Sequence, residues 1–107
     1  MDDKNLDIYK AVINACSNIE LKGKNMLYTS DNGYMFSLYN KAGDIGFRFS
    51  EARKKELINQ LNTTDYKSYG ATMRGYVKMP KSLFKDISKL REYLIESHNY
   101  VMSLEPK

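Results

Sequence analysis

His98 and Cys16 are the side chains whose types most readily supply catalysis, as a general base and a nucleophile. Each lies in a segment with helical spacing of apolar residues, so a reactive pair would need two helices to bring them together. The spacing puts Cys16 on the apolar face of the first helix and His98 beside the apolar stripe of the last helix. Those positions favour a buried inert thiol and a half-buried structural histidine. The sequence therefore predicts no catalytic residues and a protein that is not an enzyme.

Metal and nucleotide chemistry has equally little support in the residue pattern. With one His and one Cys, the chain lacks the ligands of a zinc site. Glu92 and Glu96 stand four residues apart, but the neighbouring cations are typical of ordinary surface charge. Gly43 and Gly46 do not open a helix, so they do not form a phosphate-binding loop. We expect no metal and no cofactor.

Arg48 is the best candidate for ligand binding. The predicted strand pairing places Tyr28, Ser37 and Arg48 in one row across the sheet, with hydroxyl groups beside a rigid guanidinium. Arg74 and Tyr76 share one face of a later predicted strand. If that strand joins the same sheet, the two arginines frame a shallow site for an anion or carboxylate. The alternative is an Arg48 that is salt-bridged to a helix carboxylate, with the tyrosines serving only as packing.

Nucleic acid is a second possible ligand, because the net charge of +4 comes from the second half of the chain. Arg53, Lys54 and Lys55 add to that charge, and the nine tyrosines could stack on bases. No nucleic-acid recognition motif is present, and a solvated lysine-rich face explains the same pattern. The predicted phosphate contacts are Lys67, Arg74, Lys78, Lys81, Lys85, Lys89 and Arg91.

A protein partner, or a second copy of the chain in a homodimer, is a third possibility. The predicted outer face of the sheet mixes Met26, Met35 and Tyr39 with polar groups. Flexible methionines beside tyrosine are common on adaptable contact surfaces.

Residues 26–50 determine where these side chains lie, because they read as three short strands joined by two turns. Asn32 and Gly33 are the preferred pair for a type I′ hairpin turn. That turn pairs Asp31 with Tyr34, Ser30 with Met35, Thr29 with Phe36, Tyr28 with Ser37 and Leu27 with Leu38. The next turn pairs Asn40 with Ile45, Leu38 with Phe47, Ser37 with Arg48 and Phe36 with Phe49. One face is then the core (Leu27, Thr29, Phe36, Leu38, Phe47, Phe49) and the other is mixed (Met26, Tyr28, Ser30, Met35, Ser37, Tyr39, Arg48).

The remaining elements follow from periodicity and capping signals. Apolar spacing predicts a helix over 3–18, a second helix after an N-cap at Ser50, and a long last helix capped by Asp86 or Ser88. Residues 66–79 look extended, with one or two strands broken near Gly70. The predicted fold class is α+β: helix, three-stranded antiparallel meander, helix, one or two further strands, long C-terminal helix.

Composition limits the class of protein. The 107 residues, 42% hydrophobic and 28% charged, are typical of one globular domain, here 1–107. No apolar run is long enough to span a bilayer, and the polar start is unlike a signal peptide. A single cysteine excludes an internal disulfide and fits a reducing cytoplasm.

An ordered set of segments resembles the TfoX/Sxy N-terminal domain family, and its short stand-alone members in particular. The segments are 28–37 (YTSDNGYMFS), 46–49 (GFRF), 69–80 (YGATMRGYVKMP) and 97–107 (SHNYVMSLEPK). The chain departs from the family at 24–27, where a glycine-rich lead is usual, and at Arg48, where many members have lysine.

The resemblance covers nearly the whole chain from about residue 20. It implies a compact α+β domain similar to the secretion-chaperone-like fold, and it supplies no catalytic residues. The name-giving members regulate natural competence and carry a second, C-terminal helical domain that these 107 residues do not contain. A regulatory binding role is therefore the function that the resemblance implies, with a transcription- or competence-related role through the basic 67–91 region as the alternative.

Overall fold

The computed structural model describes residues 4–68 and 70–107, so residues 1–3 and Tyr69 of the segments above lie outside the described residues. The helices are α1 (Lys4–Asn14), α2 (Glu51–Leu61) and α3 (Ile87–Met102), with a short 3-10 helix at Lys81–Leu83. The strands are β1 (Leu27–Asp31), β2 (Tyr34–Tyr39), β3 (Ile45–Arg48), β4 (Asp65–Ser68) and β5 (Ala71–Lys78). They form one antiparallel sheet in the order β1-β2-β3-β5-β4. The α+β prediction is confirmed, and the later strands do join the meander.

The N-termini of α2 and α3 follow the predicted capping residues, whereas α1 ends at Asn14 rather than at the predicted residue 18. The Ser50 side chain accepts a hydrogen bond from the Arg53 N–H, so it is the N-cap of α2. Asp86 does the same for α3 through the Lys89 N–H. Asn62 ends α2 in the left-handed conformation, with φ of 52°.

The main core lies between one face of the sheet and the helices. Most strand residues on this face are buried, and α1 and α3 cover them with apolar side chains at helical spacing. The buried side chains include Phe36, Ile45, Phe47 and Val77 from the strands, Phe49 and Met79 just after β3 and β5, and Tyr9, Val12, Leu57, Leu90, Leu94 and Val101 from the helices.

The β1–β2 hairpin begins as predicted and then changes register. Asn32 and Gly33 have φ of 56° and 85°, and the predicted pairs Asp31–Tyr34 and Ser30–Met35 form. Phe36 is then an extra residue, a β-bulge, because the next pair is Thr29 with Ser37. The predicted pairs from Thr29 with Phe36 onward are therefore wrong: Tyr28 pairs with Leu38, and Leu27 pairs with Tyr39.

The β2–β3 connection also differs from the prediction by one residue. The loop comprises residues 40–44, and β2 and β3 pair as Tyr39 with Ile45, Leu38 with Gly46 and Ser37 with Phe47. The Asn40 side chain accepts a hydrogen bond from the Asp44 N–H, which stabilises this longer turn. The predicted pairs Asn40–Ile45, Leu38–Phe47, Ser37–Arg48 and Phe36–Phe49 are consequently wrong.

Because of the bulge, three residues of β2 lie on the face of the sheet opposite to the predicted one. Ser37 is fully buried on the helix side, where its hydroxyl bonds to Tyr9 at 2.7 Å and to Thr29 at 2.6 Å. Tyr39 also turns inward, and its ring stacks on Tyr9. Leu38 faces the other side. The predicted core position of Leu38 and the outer positions of Ser37 and Tyr39 are therefore wrong.

A second, smaller cluster covers the face of the sheet that is turned away from the helices. Leu38, Tyr66 and Tyr76 are buried there, with Met26, Tyr28, Met35 and Met73 packed partly against them. Of the residues predicted for an adaptable outer surface, Met26 and Met35 thus pack partly against this cluster.

Candidate functional site

A shallow cleft of about 430 Å³ lies where β3 ends and α2 begins. Its walls come from the end of β3, the first residue of α2, the middle of β5 and the last turns of α3. We call it the arginine cleft, and its residues are Arg48, Phe49, Glu51, Arg74, Gly75 and Tyr100.

Arg48 is held in this cleft by its backbone and by aromatic rings. Its carbonyl oxygen lies 2.6 Å from the Ser97 hydroxyl, which ties the end of β3 to α3. The guanidinium carbon lies 5.4 Å from the ring centre of Tyr34 and 6.0 Å from that of Tyr100. Cation–π contacts at these distances orient the guanidinium without neutralising its charge.

Gly75 makes the cleft possible through its backbone conformation. Its φ of +84° interrupts the side-chain alternation of β5, so Met73 and Tyr76 both pack in the second cluster. A Cβ at this position would lie 3.6 Å from Arg48 Nε and from the Phe49 carbonyl oxygen. The missing side chain therefore leaves the floor of the cleft open.

The charges in the cleft are not neutralised internally. Within the ranges that the structure describes, neither Arg48, Arg74 nor Glu51 forms an ion pair. Arg53 in the first turn of α2 behaves differently, since its Nε lies 2.7 Å from Glu96 and its Nη1 lies 3.1 Å from Glu56. The predicted salt bridge from Arg48 to a helix carboxylate is thus absent among the described residues.

Two of the five predicted ligand-binding residues, Arg48 and Arg74, line the arginine cleft. A third, Tyr76, pairs with Arg48 across β3 and β5 but does not line the cleft. Ser37 is buried on the helix side, and Tyr28 pairs with Leu38 away from the cleft. Tyr76 is buried, its hydroxyl donates to the Met35 carbonyl oxygen, and burial raises its pKa above the ordinary value of 10.0. The predicted row of Tyr28, Ser37 and Arg48, and the shared face of Arg74 and Tyr76, are wrong.

Sequence reasoning missed Glu51, Gly75, Tyr34 and Tyr100 as neighbours of Arg48. Gly75 carried a signal, because a glycine inside an extended stretch often marks a bulge. Glu51 carries only the local signal of an acid in the first turn of α2. The two tyrosines gave no local signal, because they reach Arg48 from β2 and α3 through the tertiary fold.

His98 and Cys16 occupy structural positions. His98 stacks on Phe36, and its Nε2 lies 2.8 Å from an Asp31 carboxylate oxygen. Cys16 is buried, and its thiol donates weakly to the Val12 carbonyl oxygen; burial raises the pKa of this thiol. A buried thiol with a raised pKa is a poor nucleophile, which agrees with the inert cysteine that the sequence indicates.

Several cations of the predicted nucleic-acid face have intramolecular contacts. Lys78 pairs with Asp44, Lys89 lies over the Tyr93 ring, and Arg91 donates to the Ala15 carbonyl oxygen. Lys54, one of the additional cations, pairs with Asp65. Five cations of the two groups have side chains that make no ion pair, hydrogen bond or ring contact with another described residue. They are Lys55, Lys67, Arg74, Lys81 and Lys85.

Residues 4–68 and 70–107 contain neither a metal-binding cluster nor a membrane-spanning helix. No group of three or more His, Cys, Asp or Glu side chains there could hold a metal ion. No helix in these ranges has the length and apolar character needed to cross a bilayer.

No protein-family model matches the chain, and no curated protein matches it.

Proposed function

We propose that this chain is a non-enzymatic binding domain whose arginine cleft takes a small anionic group, a carboxylate or a phosphate. A free ligand or a protein partner presents that group. The observation that carries the proposal is that Arg48 and Arg74 share one cleft and that neither is ion-paired within the described residues. A guanidinium offers several N–H donors in a planar fork that matches carboxylate and phosphate geometry.

Preorganisation of Arg48 supports this function. Its backbone is tied to α3 through Ser97, and Tyr34 and Tyr100 flank its guanidinium. A side chain that is already ordered loses less conformational entropy when a ligand arrives. Arg74 is exposed and therefore supplies a more mobile second contact.

The biological setting is also a proposal. The resemblance to the TfoX/Sxy N-terminal domain family supports a regulatory domain that works by engaging a partner in the cytoplasm. Nucleic-acid binding through the 67–91 region is the weaker alternative, because Lys78, Lys89 and Arg91 already have intramolecular contacts. Sensitivity of any such binding to salt would separate the two, because multiple phosphate contacts give a steep salt dependence.

A chemical-shift titration tests the anion site directly. Acetate and inorganic phosphate are added to the isotopically labelled protein at low salt, and the backbone amides of Glu51, Gly75 and Tyr100 are followed. We expect saturable shifts at these amides that Arg48→Ala abolishes and Arg74→Ala weakens. Arg91→Ala is the matched control, since Arg91 lies outside the cleft. Shifts that are absent, or that Arg91→Ala reduces as much as Arg48→Ala, would overturn the proposal.

A further inference from the structure

We propose that the arginine cleft selects a zwitterionic ligand, whose carboxylate meets Arg48 and Arg74 and whose ammonium group meets Glu51. This inference rests on the proposed function, because it assigns a ligand class to the same cleft. The ligand is either a free amino acid or a peptide that carries both charges close together.

The starting observation is that charges of opposite sign line one cleft without pairing. Arg48, Arg74 and Glu51 all contribute to its wall, and no two of them lie within ion-pair distance. Arg48 is oriented by Tyr34 and Tyr100, and Glu51 is the exposed first residue of α2. A molecule with both charges can therefore bridge groups that the fold holds apart.

Glu51 also argues against a ligand with several negative charges. A phosphate near Arg48 and Arg74 gains from the two cations but is repelled by the carboxylate in the same cleft. A simple carboxylate meets the same repulsion in a weaker form. An ammonium group removes that repulsion, and the carboxylate of Glu51 can accept its hydrogen bonds.

The cleft provides further groups that suit an amino acid. The Phe49 carbonyl oxygen lies near the open floor at Gly75, where it can accept a hydrogen bond from an ammonium group. Tyr100 supplies an aromatic wall that can pack against the short aliphatic spacer between the two charges. The spacer length that fits best reports the distance between the arginines and Glu51.

Two matched series of small molecules test the inference by titration against the folded chain. The first is glycine, β-alanine, 4-aminobutyrate and 5-aminovalerate; the second is acetate, propionate, butyrate and valerate. At the best spacer length we expect the amino acid to bind roughly two- to five-fold tighter than its matched carboxylate, the range of an exposed ion pair. Glu51→Gln should remove this advantage. Glu92→Gln, an exposed glutamate outside the cleft, should keep it.

The outcomes separate this inference from the proposed function. If carboxylates bind in an Arg48-dependent way but no amino acid binds tighter than its matched carboxylate, the zwitterion inference fails and the anion site stands. The zwitterion inference also fails if inorganic phosphate binds tighter than every amino acid, or if Glu51→Gln strengthens the binding of the amino acids. If nothing binds, both fail. A Lys-Asp dipeptide with both ends blocked, which carries the two charges close together without free termini, distinguishes a peptide from a free amino acid. An unchanged unfolding midpoint confirms that Glu51→Gln is folded.

Discussion

The ring of Tyr66 lies directly on the backbone of Gly46. A Cβ at Gly46 would come within 2.5 Å of the Tyr66 ring, and the Tyr66 hydroxyl lies 3.0 Å from the carbonyl oxygens of both Leu38 and Asp44. A side chain of the edge strand β4 therefore crosses to the middle of the sheet, where only a glycine leaves room. This contact closes the second cluster over the face turned away from the helices.

Gly46→Ala should destabilise the fold, because the added methyl group overlaps a buried ring that is also held by its hydroxyl. Overpacking of a full core costs about 1–3 kcal/mol, and we expect the upper half of that range here. Urea unfolding followed by circular dichroism measures the loss. Tyr66→Ala should make room for the methyl group, so Gly46→Ala should cost much less in that background. An equal cost in both backgrounds would contradict the contact.

We expect the free energy of unfolding to fall at alkaline pH because three tyrosines are buried. Burial is the largest cause that raises the pKa of Tyr9, Tyr66 and Tyr76 above the ordinary value of 10.0. Above pH 10 the unfolded chain loses these phenolic protons while the folded chain keeps them, so unfolding releases protons. The free energy of unfolding should therefore decrease with pH by up to about 1.4 kcal/mol per unit for each tyrosine.

Urea unfolding at a series of pH values from 9 to 11 measures that slope, with tyrosinate absorbance as a second signal. Tyr66→Phe should make the slope shallower, because one of the titrating groups is removed. Tyrosinate absorbance from these side chains that appears well before the loss of helical signal would contradict their burial.

The sequence was sufficient for the elements that local physics determines. Ser50, Asp86 and the Asn32 and Gly33 turn act as predicted, because capping and positive φ depend on the residues in place. The first two pairs of the hairpin follow from that turn. The bulge at Phe36 was missed, because Ser37 resembles an outward-facing polar residue in the alternating pattern. Its inward position depends on Tyr9, a hydroxyl partner supplied by a distant helix.

The candidate site was predictable only in its two arginines. Arg48 and Arg74 could be singled out by residue type. They share a cleft only if their two strands belong to the same sheet, and β3 and β5 are in fact neighbours in it. Glu51 and Tyr100 come to the cleft from α2 and α3, so they depend on how the helices pack on the sheet. Helix packing is a tertiary property that periodicity alone does not determine.

Ser37→Ala should destabilise the chain without affecting anion binding. The Ser37 hydroxyl lies between Tyr9 and Thr29 in the buried core. Its removal therefore takes a hydrogen-bond partner away from the hydroxyl groups of both Tyr9 and Thr29. A buried polar group without a partner costs about 1–3 kcal/mol. Urea unfolding measures the loss, and acetate titration should give the same shifts at Gly75 as in the unaltered chain. Loss of acetate binding with full stability would restore Ser37 as a ligand contact.

We expect the free energy of unfolding to fall in acid because of the contact between Asp31 and His98. The hydrogen bond from His98 is the largest cause that lowers the pKa of Asp31 below its ordinary value of 3.8, and the Asn32 N–H adds to it. The unfolded chain therefore takes up this proton at a higher pH than the folded chain does. The lowered pKa of Asp31 therefore adds to the free energy of unfolding above pH 3.8. This added stability is lost as the pH falls through the folded-state pKa.

Asp31→Asn should remove this contribution, so its free energy of unfolding should fall less between pH 5 and pH 2 than that of the unaltered chain. The difference should be no more than about 1 kcal/mol, because the Asp31 side chain is 45% exposed and solvent screens the pair. Asp7→Asn, at an exposed aspartate of α1, is the control that should keep the full pH dependence. Equal acid sensitivity of both variants would mean that the hairpin and α3 are not coupled through the hydrogen bond between Asp31 and His98.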